Sequence, residues 1–511
     1  MITRLFSAAL RGVDAQEVEV EVNARGADKP MVVIVGLPDA AVRESSQRVT
    51  SAIEASALFL SDGVKTVNLA PADLKKEGPS FDLPIALAMV AAGRSKPFDA
   101  DDCCVVGELG LDGAVRPVKG VLSIASEAKR RGRKRLLVPA ENAAEAAVIR
   151  GIDVHPIRNL KDAWDFLDGE LSIPVFQLDR EAFFETRRRH EVDFDEVKGQ
   201  HVVKRALEVA AAGGHNVLMV GPPGTGKSML AKRLPTIMPD MGEDEAIEVT
   251  KIHSISGMLD PKRAFLTTRP FRSPHHTISD VGLLGGGTNP SPGEVSLAHH
   301  GVLFLDELPE FRRQTLEVMR QPLEDAYVTV SRAAGSFTFP SRFMLVAAMN
   351  PCPCGYYGDP KRECRCSPRQ IEQYRQRISG PLLDRIDLHV EVPLVDFREL
   401  SNDSITGEPS ASIRERVVQA RKIQSQRFKD TKTHSNSAMT PRQVKEFSRL
   451  DDTSRGYLEH AMEEMNFSAR AHDRILKVAR TLADLGGSAE VRPSDILEAI
   501  QYRSLDRKLF A

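Results

Sequence analysis

An excess of charge of either sign is missing from this sequence. Its 69 lysines and arginines nearly cancel 71 aspartates and glutamates, leaving −2 over 511 residues. Bulk charge therefore cannot hold a polyanion, and any nucleic-acid partner must be held by local patches. No apolar run reaches the ~20 residues that cross a bilayer. The opening MITRLFSAALRGV has no long apolar stretch ending in a small-residue cleavage site, so neither a membrane anchor nor a secretory signal is expected. Cysteine is scarce as well. Two of the six are adjacent and four are clustered, which does not fit a secreted disulfide framework. The cytoplasm is the expected location.

The rest is ordinary globular material. With 41% hydrophobic and 27% charged residues, the chain can build two to four cores. Residues 1–170 mix strands and helices. VEVEVN at 18–23 alternates with period 2, MVVIVGL at 31–37 reads as a buried strand, PIALAMVAA as a helix and RKRLLVP as a short strand. Residues 171–192 are Pro-interrupted and then charged, which suggests a linker. Over 193–395 strands alternate with helices, the pattern of a parallel α/β sheet. Residues 396–511 hold no convincing strand and read as a helical region. The expected fold class is α/β, with an α+β first domain, a parallel-sheet core and a helical lid.

Gly221-Pro222-Pro223-Gly224-Thr225-Gly226-Lys227-Ser228 fits the phosphate-loop pattern and stands between a strand, HNVLMVG, and a helix. Such a loop turns backbone N–H groups inward around phosphate oxygens at a helix N-terminus. Lys227 is expected on the β and γ phosphates of ATP and Ser228 on Mg²⁺. Some eighty residues on, the apolar run of GVLFLDELPEF delivers Asp306 and Glu307 to a strand's C-terminal end, where α/β sheets bind ligands. Asp306 is expected to hold Mg²⁺ through water, and Glu307 to polarise the attacking water. RFMLVAAMN ends on Asn350, an amide suited to position that water. Arg385, in GPLLDRIDL, supplies the positive charge that phosphoryl transfer needs, often from a neighbouring chain.

Two further stretches carry chemistry. CPCGYYGDPKRECRC brings Cys352, Cys354, Cys364 and Cys366 within fifteen positions. Four thiolates suit structural Zn²⁺, although C-x-C departs from the usual C-x₂-C spacing, and free thiols or a redox-sensitive loop are the alternatives. VTVSRAAGSFTF reads as two strands joined by a tip carrying Arg332; a solvated structural hairpin is the plainer reading. Cys103 and Cys104 read as core. The pairs His275–His276 and His299–His300 read as structural or near a subunit interface.

Together these motifs resemble the AAA+ ATPases. Asp193–Leu207 is similar to their adenine-flanking segment, and RPFRSPHHTISDVGLLGGGTNPSPGEVSLAHHGVLFLDELPEF to the magnesium-chelatase-like group. Over nearly the whole chain the sequence resembles the ComM/YifB family. That resemblance implies an N-terminal ribosomal-S5-like domain, an AAA+ module and a helical lid. It makes Asn350 the sensor-1 residue, Arg385 the trans-acting finger and Arg470 the sensor-2 arginine, with Arg474 the competing choice. It implies a homo-hexamer with ATP between subunits, acting as a helicase that migrates branches of DNA during natural transformation, on single-stranded and branched DNA. By similarity to minichromosome maintenance helicases, Arg332 would meet a phosphate backbone in the ring pore, and Lys251–Phe265 marks a second pore segment.

KKEGPSFDLPIAL resembles the nucleophile segment of the Lon proteases, with Ser80 at the nucleophile position. The position of the lysine base falls on Ile124, which cannot accept a proton. A shared fold without peptidase activity is expected. The cation-rich Lys129–Arg135 reads as a solvated helix end or a nucleic-acid contact, and the arginines at 187–189 in the same way. The competing functions are a chelatase-type motor that drives metal insertion through a partner and, with the base missing, a peptidase carrying an ATPase module.

Overall fold

The computed structural model describes residues 2–27, 30–94, 100–178, 191–260, 265–287, 290–332, 335–395, 407–465 and 467–506, and for Arg332 the backbone alone. Most of the linker segment and the first residues of the lid segment lie outside that set. So do the arginines at 187–189, the hairpin tip at 333–334 and part of the second pore segment. The chain divides into two compact units: 1–187 with 243–267 and 333–338, and 188–242 with 268–332 and 339–511.

The first unit is built on a seven-stranded mixed sheet. Its order is Met31–Val35, Val64–Ala70, Asp14–Arg25, Ile2–Arg11, Cys103–Val105, Arg135–Pro139 and Asp153–Ile157. Strand alternation sends neighbouring residues to opposite faces. Cys103 and Leu137 thus join one apolar cluster and Cys104 and Leu136 the other, which places both cysteines in cores as expected. Burial pushes the Cys103 thiol up to about 12. MVVIVGL is not the buried strand its composition suggests. It forms the sheet edge, with Met31 58% and Val35 41% exposed, because nothing in an apolar run tells a strand whether it has one neighbour or two. The helix Asp82–Ala91 is buried throughout. Ile124 lies 1% exposed in the second cluster, so an apolar side chain fills the position of the missing base. The cation run is largely neutralised within the unit: Arg130 and Arg131 pair with Glu127, Arg133 with Glu17 and Arg135 with Asp102.

Helix Glu243–Ile255 is grouped with this first unit although the motifs on either side of it belong to the second. Ser254 explains part of that: its hydroxyl receives the Gly120 N–H at 2.9 Å and donates to Glu145 at 2.5 Å.

The second unit holds a five-stranded, all-parallel sheet in the order Phe271–Arg272, Val302–Leu305, Met344–Met349, Val217–Val220, Leu388–Glu391. The three inner strands are buried residue by residue, as continuous apolar runs must be when both faces are covered. The helices Ser410–Arg427, Pro441–Phe447, Asp452–Glu464, Ala469–Leu485 and Pro493–Gln501 share this unit's apolar core. Thr440, Asp451 and Ser468 cap three of them with their side chains.

A buried polar knot ties lid to sheet. Asp387 accepts from His215 Nδ1 at 3.3 Å and from the Asn216 N–H at 3.1 Å, and pairs with Arg474. His215 Nε2 meets Thr481 Oγ1 at 2.8 Å. Burial alone would raise the Asp387 carboxyl, but the Arg474 charge and His215 hold it far below the usual range. Burial lowers the pKa of His215; burial and Arg503 lower that of His389. Both imidazoles fold neutral, whereas unfolded histidine titrates near 6.5. Their contribution is therefore complete above about pH 6.5 and is lost as the unfolded chain takes up protons below it. The midpoint of urea unfolding should therefore move to lower urea concentration between pH 7.5 and pH 5.5. A His215→Gln variant should show a flatter dependence. A pH-independent midpoint would contradict the assignment.

Candidate nucleotide site

The phosphate loop leaves the sheet where the strand order reverses, between Met344–Met349 on one side and Leu388–Glu391 on the other. Gly221 has no room for a side chain, since a Cβ there would lie 2.2 Å from the Val392 carbonyl oxygen. Gly226 has φ +85°, a left-handed turn that favours glycine, and helix Lys227–Ile237 begins at the next residue. Thr225 is buried and donates to the Pro222 carbonyl at 3.0 Å.

Lys227 turns back over the loop. Its Nζ donates to the carbonyls of Gly221 at 2.7 Å and Pro222 at 2.8 Å, and reaches Asn350 Oδ1 at 3.3 Å. Burial lowers its pKa and the Asp306 charge opposes that. Ser228 Oγ donates to Asp306 Oδ2 at 2.6 Å. The donor set fits a magnesium–phosphate group: a hydroxyl and a carboxylate already in contact, a cation beside them, and a loop of backbone N–H groups at a helix start. Sequence reading thus named residues that fold into one cluster: the loop, Asp306 and Asn350.

Glu307 follows Asp306 with φ +53°. Its carboxylate stands 55% exposed, 3.3 Å from His276 Nδ1. That contact was not visible in the sequence, where the Pro-flanked SPHHT stretch gives no sign of what it faces. Gln200, in the middle of the adenine-flanking segment, also has a left-handed backbone (φ +58°). It donates to the carbonyls of Thr225 at 3.3 Å and Pro393 at 2.7 Å, fastening that segment to the loop.

The arginines stand apart from this cluster. Arg385 is 7% exposed and pairs with Glu324. Its carbonyl accepts from Asn216 Nδ2 at 3.0 Å. Arg470 is 64% exposed, with Asp384 at 3.5 Å, while Arg474 is engaged by Asp387. Arg332 ends the strand Tyr327–Arg332, which pairs with Gly335–Pro340 as a two-stranded ribbon. Its side chain lies outside the described residues. The four cysteines converge: Cys352, Cys354 and Cys364 have sulfurs 3.4–3.7 Å apart, and Cys366 lies within 4.8 Å of the rest, an arrangement compatible with structural zinc. Among the described residues no helix is long and apolar enough to cross a membrane.

A phosphate loop, a strand ending in two carboxylates and an amide-tipped strand between them, on a parallel sheet with a helical C-terminal region, define an AAA+ module of the magnesium-chelatase type. Family models agree along the chain: subunit ChlI of Mg-chelatase over residues 18–142, magnesium chelatase subunit ChlI over 193–400, and its C-terminal part over 407–503. The chain is 42% identical to competence protein ComM of Haemophilus influenzae over 511 residues, covering 99% of this chain and 98% of that protein. It is also 42% identical to YifB of Escherichia coli, covering 99% and 97%. A shorter match, 38% over 89 residues, joins 17% of the chain to 19% of the DNA repair protein RadA of Escherichia coli. The chain belongs to the ComM/YifB family of magnesium-chelatase-like AAA+ proteins, a family that implies ATP and Mg²⁺.

Proposed function

We propose that the protein is an ATP-driven, ring-forming DNA motor that remodels branched recombination intermediates. The observation that carries the ATPase part is the contact of Lys227 with Asn350 and of Ser228 with Asp306 at the phosphate loop. In this reading Lys227 exchanges the Gly221 and Pro222 carbonyls for phosphate oxygens. Ser228 and Asp306 hold Mg²⁺, which neutralises phosphate charge when bound. Glu307 takes up the proton of the attacking water, Asn350 orients that water, and Arg470 and a neighbour's Arg385 stabilise charge on the transferred group. Arg474 is the weaker sensor-2 candidate, because leaving Asp387 would strand a buried carboxylate.

The DNA part is supported by full-length similarity to a competence protein, by the RadA match, and by the ribbon that ends in Arg332. The family models' description favours one second reading, a chelatase-type motor acting on a partner that carries a metal-free porphyrin. ATPase stimulation separates the two. Forked and four-way DNA should raise phosphate release several-fold and be unwound, with Arg332→Ala reducing unwinding at unchanged ATP affinity. Because phosphate-backbone contacts weaken steeply with salt, the stimulation should fade between 50 and 200 mM NaCl, roughly a decade or more for several contacts. Stimulation by a porphyrin-bearing partner and none by DNA would replace this reading with the chelatase one.

A further inference from the structure

The four-cysteine segment sits directly against the nucleotide site. Cys352 follows Asn350 by two residues, at the exit of strand Met344–Met349. Gly355 is held by its N–H to the Cys352 carbonyl at 3.0 Å, with φ +86°. A Cβ on Gly355 would fall 2.6 Å from Cδ of Pro223 in the phosphate loop and 3.9 Å from Cγ of Asn350. On the far side, Arg375 donates from Nε and Nη2 to the Pro351 carbonyl, both at 3.2 Å, and Ser367 caps helix Pro368–Arg375 one residue after Cys366.

We propose that Cys352, Cys354, Cys364 and Cys366 bind one Zn²⁺ as thiolates, and that the resulting knuckle braces the phosphate loop and the Asn350 amide. The sulfur spacing argues for a metal over other ways of gathering four thiols. Separations of 3.4, 3.6 and 3.7 Å are far too long for a disulfide, whose sulfurs lie ~2.05 Å apart. They approach the ~3.8 Å edge of a tetrahedron with Zn–S bonds of ~2.3 Å. Apolar packing is a poor explanation too, since only Cys352 of the four is fully buried. The segment between the pairs forms no helix or strand, so a cross-link is what can hold it to one shape. All-sulfur coordination excludes the hard divalent ions and leaves zinc or iron, and four protein ligands close the site to water and substrate, as a structural zinc requires. On binding, the thiol protons pass to solvent.

The metal clause stands on sulfur geometry alone; the bracing clause rests on the ATP reading of the loop. Full-length, untagged protein purified without chelator should carry one zinc per chain by elemental analysis, and a Cys364→Ser/Cys366→Ser variant less than a tenth of that. Cobalt reconstitution should give thiolate charge-transfer absorption and tetrahedral d–d bands. Binding of a fluorescent ATP analogue should weaken at least tenfold in the double variant and in chelator-stripped wild type, and return when zinc is restored. Gly355→Ala, which leaves every ligand in place, should keep its zinc and still bind the analogue more weakly, so the bracing clause does not depend on the cysteine variant folding. Substoichiometric zinc, or iron in its place, overturns the metal clause. Wild-type nucleotide affinity in zinc-free protein or in Gly355→Ala overturns the bracing clause. Zinc-loaded wild type that binds no nucleotide at all would count against the ATP reading, and bracing with it, while the metal count stands.

Discussion

Glu307→Gln should bind ATP as the wild type does and hydrolyse it about 10²–10⁴-fold more slowly, the range expected when a general base is removed. Lys227→Ala should not bind it measurably. The difference follows from where the two side chains stand. Lys227 is 8% exposed and already satisfies two loop carbonyls and the Asn350 amide. Removing it deletes the charge that faces the phosphates and leaves those acceptors without their donor; charge-assisted hydrogen bonds are worth about 1.5–3 kcal/mol each. Two such bonds predict a loss of at least 10²-fold in affinity. Glu307, by contrast, is half exposed and its carboxylate touches His276 rather than the loop, so glutamine preserves size and the approach to His276 while losing the ability to accept a proton. Titration with a fluorescent nucleotide and steady-state phosphate release measure the two effects separately. Normal turnover in Glu307→Gln, or unchanged affinity in Lys227→Ala, would remove those residues from their roles.

The legible part of this site is the part encoded in short spacing. The loop, the Asp306-Glu307 strand end and Asn350 each follow an apolar run by a fixed offset, and parallel-sheet topology brings such ends together. The four cysteines were legible for the same reason. What the sequence hid depends on long-range neighbours. His276 is thirty-one residues from Glu307 (307 − 276), and no offset announces the pair. Arg470 and Arg474 differ by one helical turn, and only the position of Asp387 separates them. The edge placement of Met31–Val35 and the docking of Ser254 on Glu145 are likewise set by partners far along the chain. The cation run Lys129–Arg135 looked like a patch because its carboxylate partners at Glu17 and Asp102 stand on other strands or beside them.

Arg385→Ala should bind ATP normally, hydrolyse it at least 10²-fold more slowly, and regain turnover when mixed with Lys227→Ala. Within its own chain the Arg385 guanidinium is bound to Glu324, and its Nε has no hydrogen-bond partner among the described residues. Such a buried donor is costly unless another group completes it. An acceptor on a neighbouring subunit's nucleotide would do so, at the expense of the Glu324 pair, and would put positive charge where phosphoryl transfer develops negative charge. In a head-to-tail ring each site combines the loop of one subunit with the arginine of the next. A mixed ring therefore contains sites with an intact Lys227 from one variant and an intact Arg385 from the other. Random equimolar assembly makes about a quarter of the sites complete, so turnover per chain should recover toward that fraction while either variant alone stays silent. Size-exclusion chromatography with light scattering, run with nucleotide and DNA, reports the ring in parallel. Mixtures that form rings yet recover nothing would return Arg385 to a purely structural pairing with Glu324. A chain that stays monomeric under those conditions would remove the shared site altogether.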